Sequence, residues 1–250
     1  MPLSVSRKKS LQSLGFVALS GESVRAGVGA QAMAEANRID ESFQGLARDR
    51  HMGDGGRYRF RRYSRFLCRL DAQTGRFEFP PLSGTEIHQE KVDNPLNGGV
   101  TRTFEPLDSW VSQSAFLDAL LRHDAALLMA LDPDLFLRPV PVGVHQIRIV
   151  AEPETQGKPT PEGVHRDAET YTIQHFWSRE GIEGGEFRAY DSGKKETFRW
   201  LQDSLLDSVL FTGTTWHSAT PIACLPECER GHRDIFLVDF TSEVQPHGED

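Results

Sequence analysis

Cysteine is scarce in this 250-residue chain: Cys68, Cys224 and Cys228 form an odd set with no disulfide framework. Basic side chains are outnumbered, 28 against 36 acidic ones, for a net charge of −8. That balance argues against binding by general attraction to nucleic-acid phosphates. No apolar run reaches the roughly eighteen residues of a membrane helix. The apolar part of MPLSVSRKKSLQSLGFVALSG is too short and interrupted for a signal peptide, so the chain reads as cytoplasmic, with neither membrane nor nucleic acid as a partner. The basic SRKK within it reads as unstructured. Internal repeats and a G-x-G-x-x-G loop are also missing. The length suits a single domain over residues 1–250 that is large enough to bury a substantial core.

What is present is one short motif twice: His165-Arg166-Asp167 and His232-Arg233-Asp234. A kinase catalytic loop is excluded, because neither copy has the downstream asparagine and no glycine-rich loop precedes them. Metal binding is the better reading, since His-x-Asp on a strand puts imidazole and carboxylate on one face. About half an H-x-D is expected by chance in such a composition, so a third ligand is required.

The texture of the chain helps to find one. Residues 1–135 read as mainly helical: ESVRAGVGAQAMAEANRIDESFQGLARD carries Val24, Val28, Met33, Ala34 and Phe43 at helical spacing, and residues 111–131 carry Phe116, Leu120, Leu121, Leu127 and Leu128, closed by Asp132-Pro133. One strand is expected near 57–68, where RYRFRRYSRF alternates. Residues 136–245 are different. Strand-like runs at 144–150, 170–177, 185–190, 208–213, 217–223 and 234–240, with turns and no helices between them, predict a jelly roll. The fold class is α+β, a double-stranded β-helix of cupin-like type buttressed by N-terminal helices.

Within the β-rich part, His175 reads as a sheet histidine with a hydrogen-bond partner. His217 lies 52 positions after His165, enough chain to cross a sheet and return. His165, Asp167 and His217 then make two imidazoles and one carboxylate on one face of a metal, the facial set of non-haem iron(II) oxygenases. Zinc would accept the same atoms, so the ligands alone do not name the metal. A separate zinc site from Cys224 and Cys228 with His217 and His232 is the weaker alternative. In DIFLVDF, alternation places Arg233, Ile235 and Leu237 on one face and His232 and Asp234 on the other. An inward Arg233 would grip a carboxylate bidentately, as the distal carboxylate of 2-oxoglutarate requires.

H-x-D, a histidine about fifty residues on and an arginine in the last strand together resemble the Fe(II)/2-oxoglutarate-dependent dioxygenases. The resemblance is closest to the bacterial branch of free amino acid hydroxylases that act like L-isoleucine 4-hydroxylase. It is carried by HQIRI (145–149), PTPEGVHRD (159–167), EGG (183–185), HSATPI (217–222) and GHRDIFLVDF (231–240), with RYRFRRY (57–63) as a further match. Ala168 stands where glycine is expected and His232 where an aromatic is usual, so substrate choice need not follow the isoleucine enzymes. The resemblance implies iron(II), 2-oxoglutarate and O2 as the cofactor set, succinate and CO2 as products, and hydroxylation of an unactivated C–H bond.

A free amino acid as substrate needs a guanidinium for its carboxylate and an acid for its ammonium. Arg148, Arg59 and Arg62 are the candidates for the first and Glu162 for the second, with Phe176 and Trp177 as core or pocket wall. Two readings compete: the same chemistry on a peptide, carrier-bound residue or natural-product intermediate, and a non-catalytic jelly-roll module that keeps a metal for structure.

Overall fold

A computed structural model describes residues 5–89, 91, 96 and 98–242. The SRKK stretch is not unstructured but lies in helix α1 (Val5–Leu14), whose Leu11 is buried in the core. The long helix expected after residue 21 is divided by its own backbone punctuation. Ser20 accepts from the Ser23 N–H and starts α2 (Gly21–Val28), and Gly29 ends it at φ +89° before α3 (Ala30–Met33) and α4 (Ala36–Ser42). A single turn, α5 (Ser109–Ser112), precedes α6 (Ala115–Leu131), which Ser114 caps by accepting from the Leu117 N–H. Among the described residues no helix is long and apolar enough to cross a membrane.

The strands in chain order are β1 (Phe16–Leu19), β2 (Arg59–Leu70), β3 (Phe77–Glu78), β4 (Pro81–Leu82), β5 (Glu86–His88), β6 (Thr101–Thr103), β7 (Val140–Ala151), β8 (Tyr171–Glu180), β9 (Ile182–Gly184), β10 (Phe187–Tyr190), β11 (Glu196–Trp200), β12 (Ser208–Thr212), β13 (Trp216–Ala219), β14 (Ile222–Cys224) and β15 (Gly231–Phe240). The major sheet runs β1-β12-β8-β15-β7-β2-β3, with β4 also on β2, and a minor sheet runs β11-β10-β13. Two features depart from the expectation. The FVAL of β1 closes one side of the major sheet against β12. The run at 217–223 is broken at Thr220-Pro221, because proline has no N–H for the ladder, so β13 pairs with β10 and β14 with β9.

Both faces of the major sheet are covered. On one face Val142, Val144, Ile173, Phe236 and Val238 pack with Leu117, Leu120, Leu121 and Leu128 of α6. On the other, alternate residues of the same strands face the minor sheet, where two smaller apolar clusters flank a polar cavity. That cavity holds the residues the sequence singled out.

One polar group interrupts the helix-side layer. Asp124 of α6 is fully buried and lies 3.0 Å from His175 Nε2 on β8. His175 Nδ1 lies 2.8 Å from Ser208 Oγ, which spends its own proton on the Leu206 carbonyl at 2.7 Å, so the ring donates there. Burial would raise the Asp124 carboxyl, but the charge of His175 and hydrogen bonds from His123 and His175 hold it below its ordinary 3.8. A carboxyl lowered in the folded state adds stability above its unfolded value and loses it as pH falls through the folded one. Asp124→Ala is therefore expected to cost about 3–5 kcal/mol near neutrality, by stranding a buried imidazole. Urea unfolding would show this, with the gap to the parent chain closing in acid. A loss under about 1 kcal/mol would mean that the pair contributes no more than an ordinary neutral hydrogen bond.

Candidate metal centre and cosubstrate pocket

The H-x-D segment is not a strand, as its alternation had implied, but a loop between β7 and β8 pinned to β13 by one bridge. His165 and His217 exchange both backbone hydrogen bonds, N to O 3.0 and 2.9 Å. Their rings lie 4.3 Å apart. Asp167 sits between them, Oδ1 3.4 Å from His165 Nε2 and Oδ2 3.6 Å from His217 Nε2. One ligand atom from each of the three lies within 4.8 Å of the others.

The outer nitrogens decide the tautomers. His165 Nδ1 donates to the Gly163 carbonyl at 3.0 Å and His217 Nδ1 to the Thr215 carbonyl at 3.1 Å. A carbonyl only accepts, so each Nδ1 carries hydrogen and each Nε2 turns toward Asp167, the arrangement that metal-ligating histidines need. Burial would lower His165, but the hydrogen bond and charge of Asp167, helped by Glu162, push it up to about 9. Burial drives His217 down to about 4, with the His165 charge adding to it against Asp167. Burial also works against ionisation of Asp167, yet the two rings hold it below the usual carboxylate range. The three groups thus form a set of two imidazole nitrogens and one carboxylate that would hold a divalent cation, which would displace the proton on His165. Phe211, 4.4 Å from the His217 ring, and Phe187 keep that side apolar.

Arg233, Ile235, Leu237 and Asp239 of β15 line the cavity, the first three on one face as alternation groups them. Arg233 is 1% exposed. Its Nη2 donates to Gln202 Oε1 at 3.1 Å, while its buried Nε has no hydrogen-bond partner. Burial, with repulsion from Arg179, lowers it to about 10, so it stays charged at neutral pH. A buried cation with an unused donor fits an anion at that spot. The EGG motif makes room for it: a Cβ on Gly185, at φ +76°, would lie 2.9 Å from Arg233 Cδ.

A second group of cations comes from β2 and β6. Arg59 Nε donates to Asp49 Oδ2 at 2.8 Å, Arg61 Nη2 to His145 Nδ1 at 2.6 Å, and Arg102 Nη2 to Gln89 Oε1. A guanidinium only donates, so His145 carries its proton on Nε2 and gives it to Asp239 Oδ2 at 2.7 Å. Arg59 Nη2, Arg61 Nε and Arg102 Nε are buried without partners. Glu162 lies in the same cavity, Oε1 3.4 Å from His165 Nε2 and Oε2 without a partner. Burial and the Asp167 charge push the nearby Glu169 up to about 7.

Two of the arginines expected there lie elsewhere. Arg148 points to the helix side of β7, giving Nε and Nη2 to Asp234 at 2.7 and 2.6 Å and Nη1 to Gln44 at 2.8 Å. Arg62, also on the far face, donates to the Pro106 carbonyl and pairs with Asp108 at 2.9 Å. Trp177 is core, its Nε1 donating to Asp40, and Phe176 lies beneath Arg233. Cys224 Sγ donates to the Cys228 carbonyl, and neither thiol joins His217 or His232 in a metal-sized cluster among the described residues. Arg61 went unnamed although it shares the face of Arg59. Arg102 had no local signal, because only the β5–β6 hairpin brings it in.

A jelly roll whose interior is opened around two imidazoles, a carboxylate and a sunken arginine defines a non-haem metal oxygenase. Residues 40–239 match the model of the 2OG-Fe dioxygenase family, and the chain belongs to it: an enzyme that uses iron(II), 2-oxoglutarate and O2. It is similar to the L-isoleucine-4-hydroxylase of Bacillus thuringiensis, 24% identical over 189 residues that cover 74% of this chain and 76% of that one. The 3(1)-hydroxy-L-isoleucine 4-dioxygenase of Pantoea ananatis (strain AJ13355) is 23% identical over 153 residues, 61% of this chain and 62% of the relative. Among solved structures, a bsmA homolog from Methylobium petroleophilum PM1 aligns with a TM-score of 0.83 at 27% identity, over 99% of this chain and 97% of that one. A non-catalytic metal-holding module is thereby set aside.

Proposed function

We propose that the enzyme hydroxylates an unactivated C–H bond of a free L-amino acid. In this reading His165, Asp167 and His217 hold iron(II), and Arg233 takes the distal carboxylate of 2-oxoglutarate. Arg59, with Arg61 and Arg102, takes the substrate carboxylate, and Glu162 its ammonium. When bound, the iron with O2 and 2-oxoglutarate supplies the oxidation, C–H becoming C–OH as the keto acid becomes succinate and CO2. The chain's own residues do the rest: they select, orient and keep water away.

One observation carries the choice of substrate. Three guanidiniums with unused buried N–H groups share a cavity with a carboxylate oxygen that also lacks a partner. Opposite charges awaiting partners suit a zwitterion. Both named relatives act on isoleucine or its hydroxylated form.

Succinate release in the presence of each free amino acid, and of the same residues on a carrier or in a peptide, tests the class. Turnover confined to the carrier-bound or peptide forms would sink it. For the best amino acid, Arg59→Ala should raise KM by about 10- to 100-fold, a lost charged hydrogen bond, with the 2-oxoglutarate requirement unchanged. An unaltered KM would remove Arg59 from the substrate's grip.

A further inference from the structure

Between the proposed ligands His165 and Asp167 stands Arg166, and immediately before His217 stands Trp216. The Arg166 guanidinium lies 4.6 Å from the centre of the Trp216 indole. The ammonium of Lys194 lies 4.1 Å from the same ring. Lys194 sits in the turn after β10, the strand that pairs with β13 and sets Tyr190 opposite Trp216. It has a left-handed backbone at φ +60°, where glycine or asparagine is the usual occupant. Gly193 is its neighbour, yet the strained position carries a long cation that reaches the indole. A strained residue is kept where its side chain matters.

We propose that Trp216 is a cation–π latch: it pins Arg166, and with it the loop that bears His165 and Asp167, to the strand that bears His217, while Lys194 braces the same ring. The backbone bridge fixes His165 but ends there. Asp167, two residues further on, has no ladder bond to hold it; besides the contact of its carboxylate with His217, the Arg166 side chain ties that part of the loop to β13. The three side chains are positioning residues, acting through the ligands. The inference rests on the assignment of those ligands.

Mn(II), a redox-stable probe of the iron site, tests it by titration against the free-ion resonance, with protein melting measured in parallel. Trp216→Leu should weaken Mn(II) binding by roughly five- to thirtyfold, two exposed cation–π contacts, and Trp216→Phe should recover most of the loss. Lys194→Gly relieves the backbone, so its melting temperature should not fall although Mn(II) binding weakens two- to fivefold, roughly one such contact. Arg166→Met should weaken Mn(II) binding and add little to Trp216→Leu. Parental Mn(II) affinity in folded Trp216→Leu or in Lys194→Gly overturns the latch. So does an Arg166→Met enzyme with higher amino acid KM and unchanged metal affinity, because that arginine would then serve the substrate. Failure of the ligand assignment looks different: the parent chain ignores Mn(II), or His217→Ala binds it equally well.

Discussion

Asp167→Ala is expected to leave a folded protein that neither binds iron(II) nor releases succinate above background. The carboxylate lies within 3.4 and 3.6 Å of the two Nε2 atoms and is the anionic member of the set. Without it, two neutral imidazoles remain, and the set loses its one negative charge toward a divalent cation. The loss should exceed the 10- to 100-fold that removal of an outer-sphere partner usually costs. An anaerobic absorption spectrum with iron(II) and 2-oxoglutarate checks it. The parent chain should develop a visible charge-transfer band that needs both additions, and Asp167→Ala and His217→Ala should show none. A band of normal intensity in Asp167→Ala would place the metal elsewhere.

Arg233→Met should separate cosubstrate binding from stability. Truncating one partner of a buried charge pair costs about 2–5 kcal/mol, so the 2-oxoglutarate requirement should rise by roughly thirtyfold to several thousandfold, while iron(II) still binds. Free of ligands, the parent holds a guanidinium that is 1% exposed with an unused Nε–H. Methionine fills the stem's volume without that desolvation cost, so the ligand-free variant should melt at a higher temperature. Its charge is present in both folded and unfolded chains below about pH 10, so this difference should persist across neutral pH. Unchanged cosubstrate affinity would give the distal carboxylate another partner. A lower melting temperature would mean that the guanidinium is satisfied already.

Alternation along a strand says which side chains share a face, and it was enough to group Arg233 with Ile235 and Leu237. It does not say which face meets the cavity. In this fold the usual criterion, polar out and apolar in, fails because both faces of the major sheet are covered. Arg148 and Asp234 satisfy each other under the helices, whereas Arg59 and Arg61 sit on the opposite face; from sequence the two sets look alike. The helix positions of α6 were legible because their period is long and their cap local. The edge strand β1 was too short for its pattern to register, and Arg102 depended on a hairpin whose approach to β2 is a tertiary event.

The close passage of Arg233 beneath Gly185 couples two sites 48 positions apart in the chain. Alanine at 185 would drive its methyl to 2.9 Å from Arg233 Cδ and give a left-handed backbone to a residue that resists it. The glycine then cannot change freely while the arginine stays. In an alignment of this family, chains that keep the arginine should keep the glycine as well.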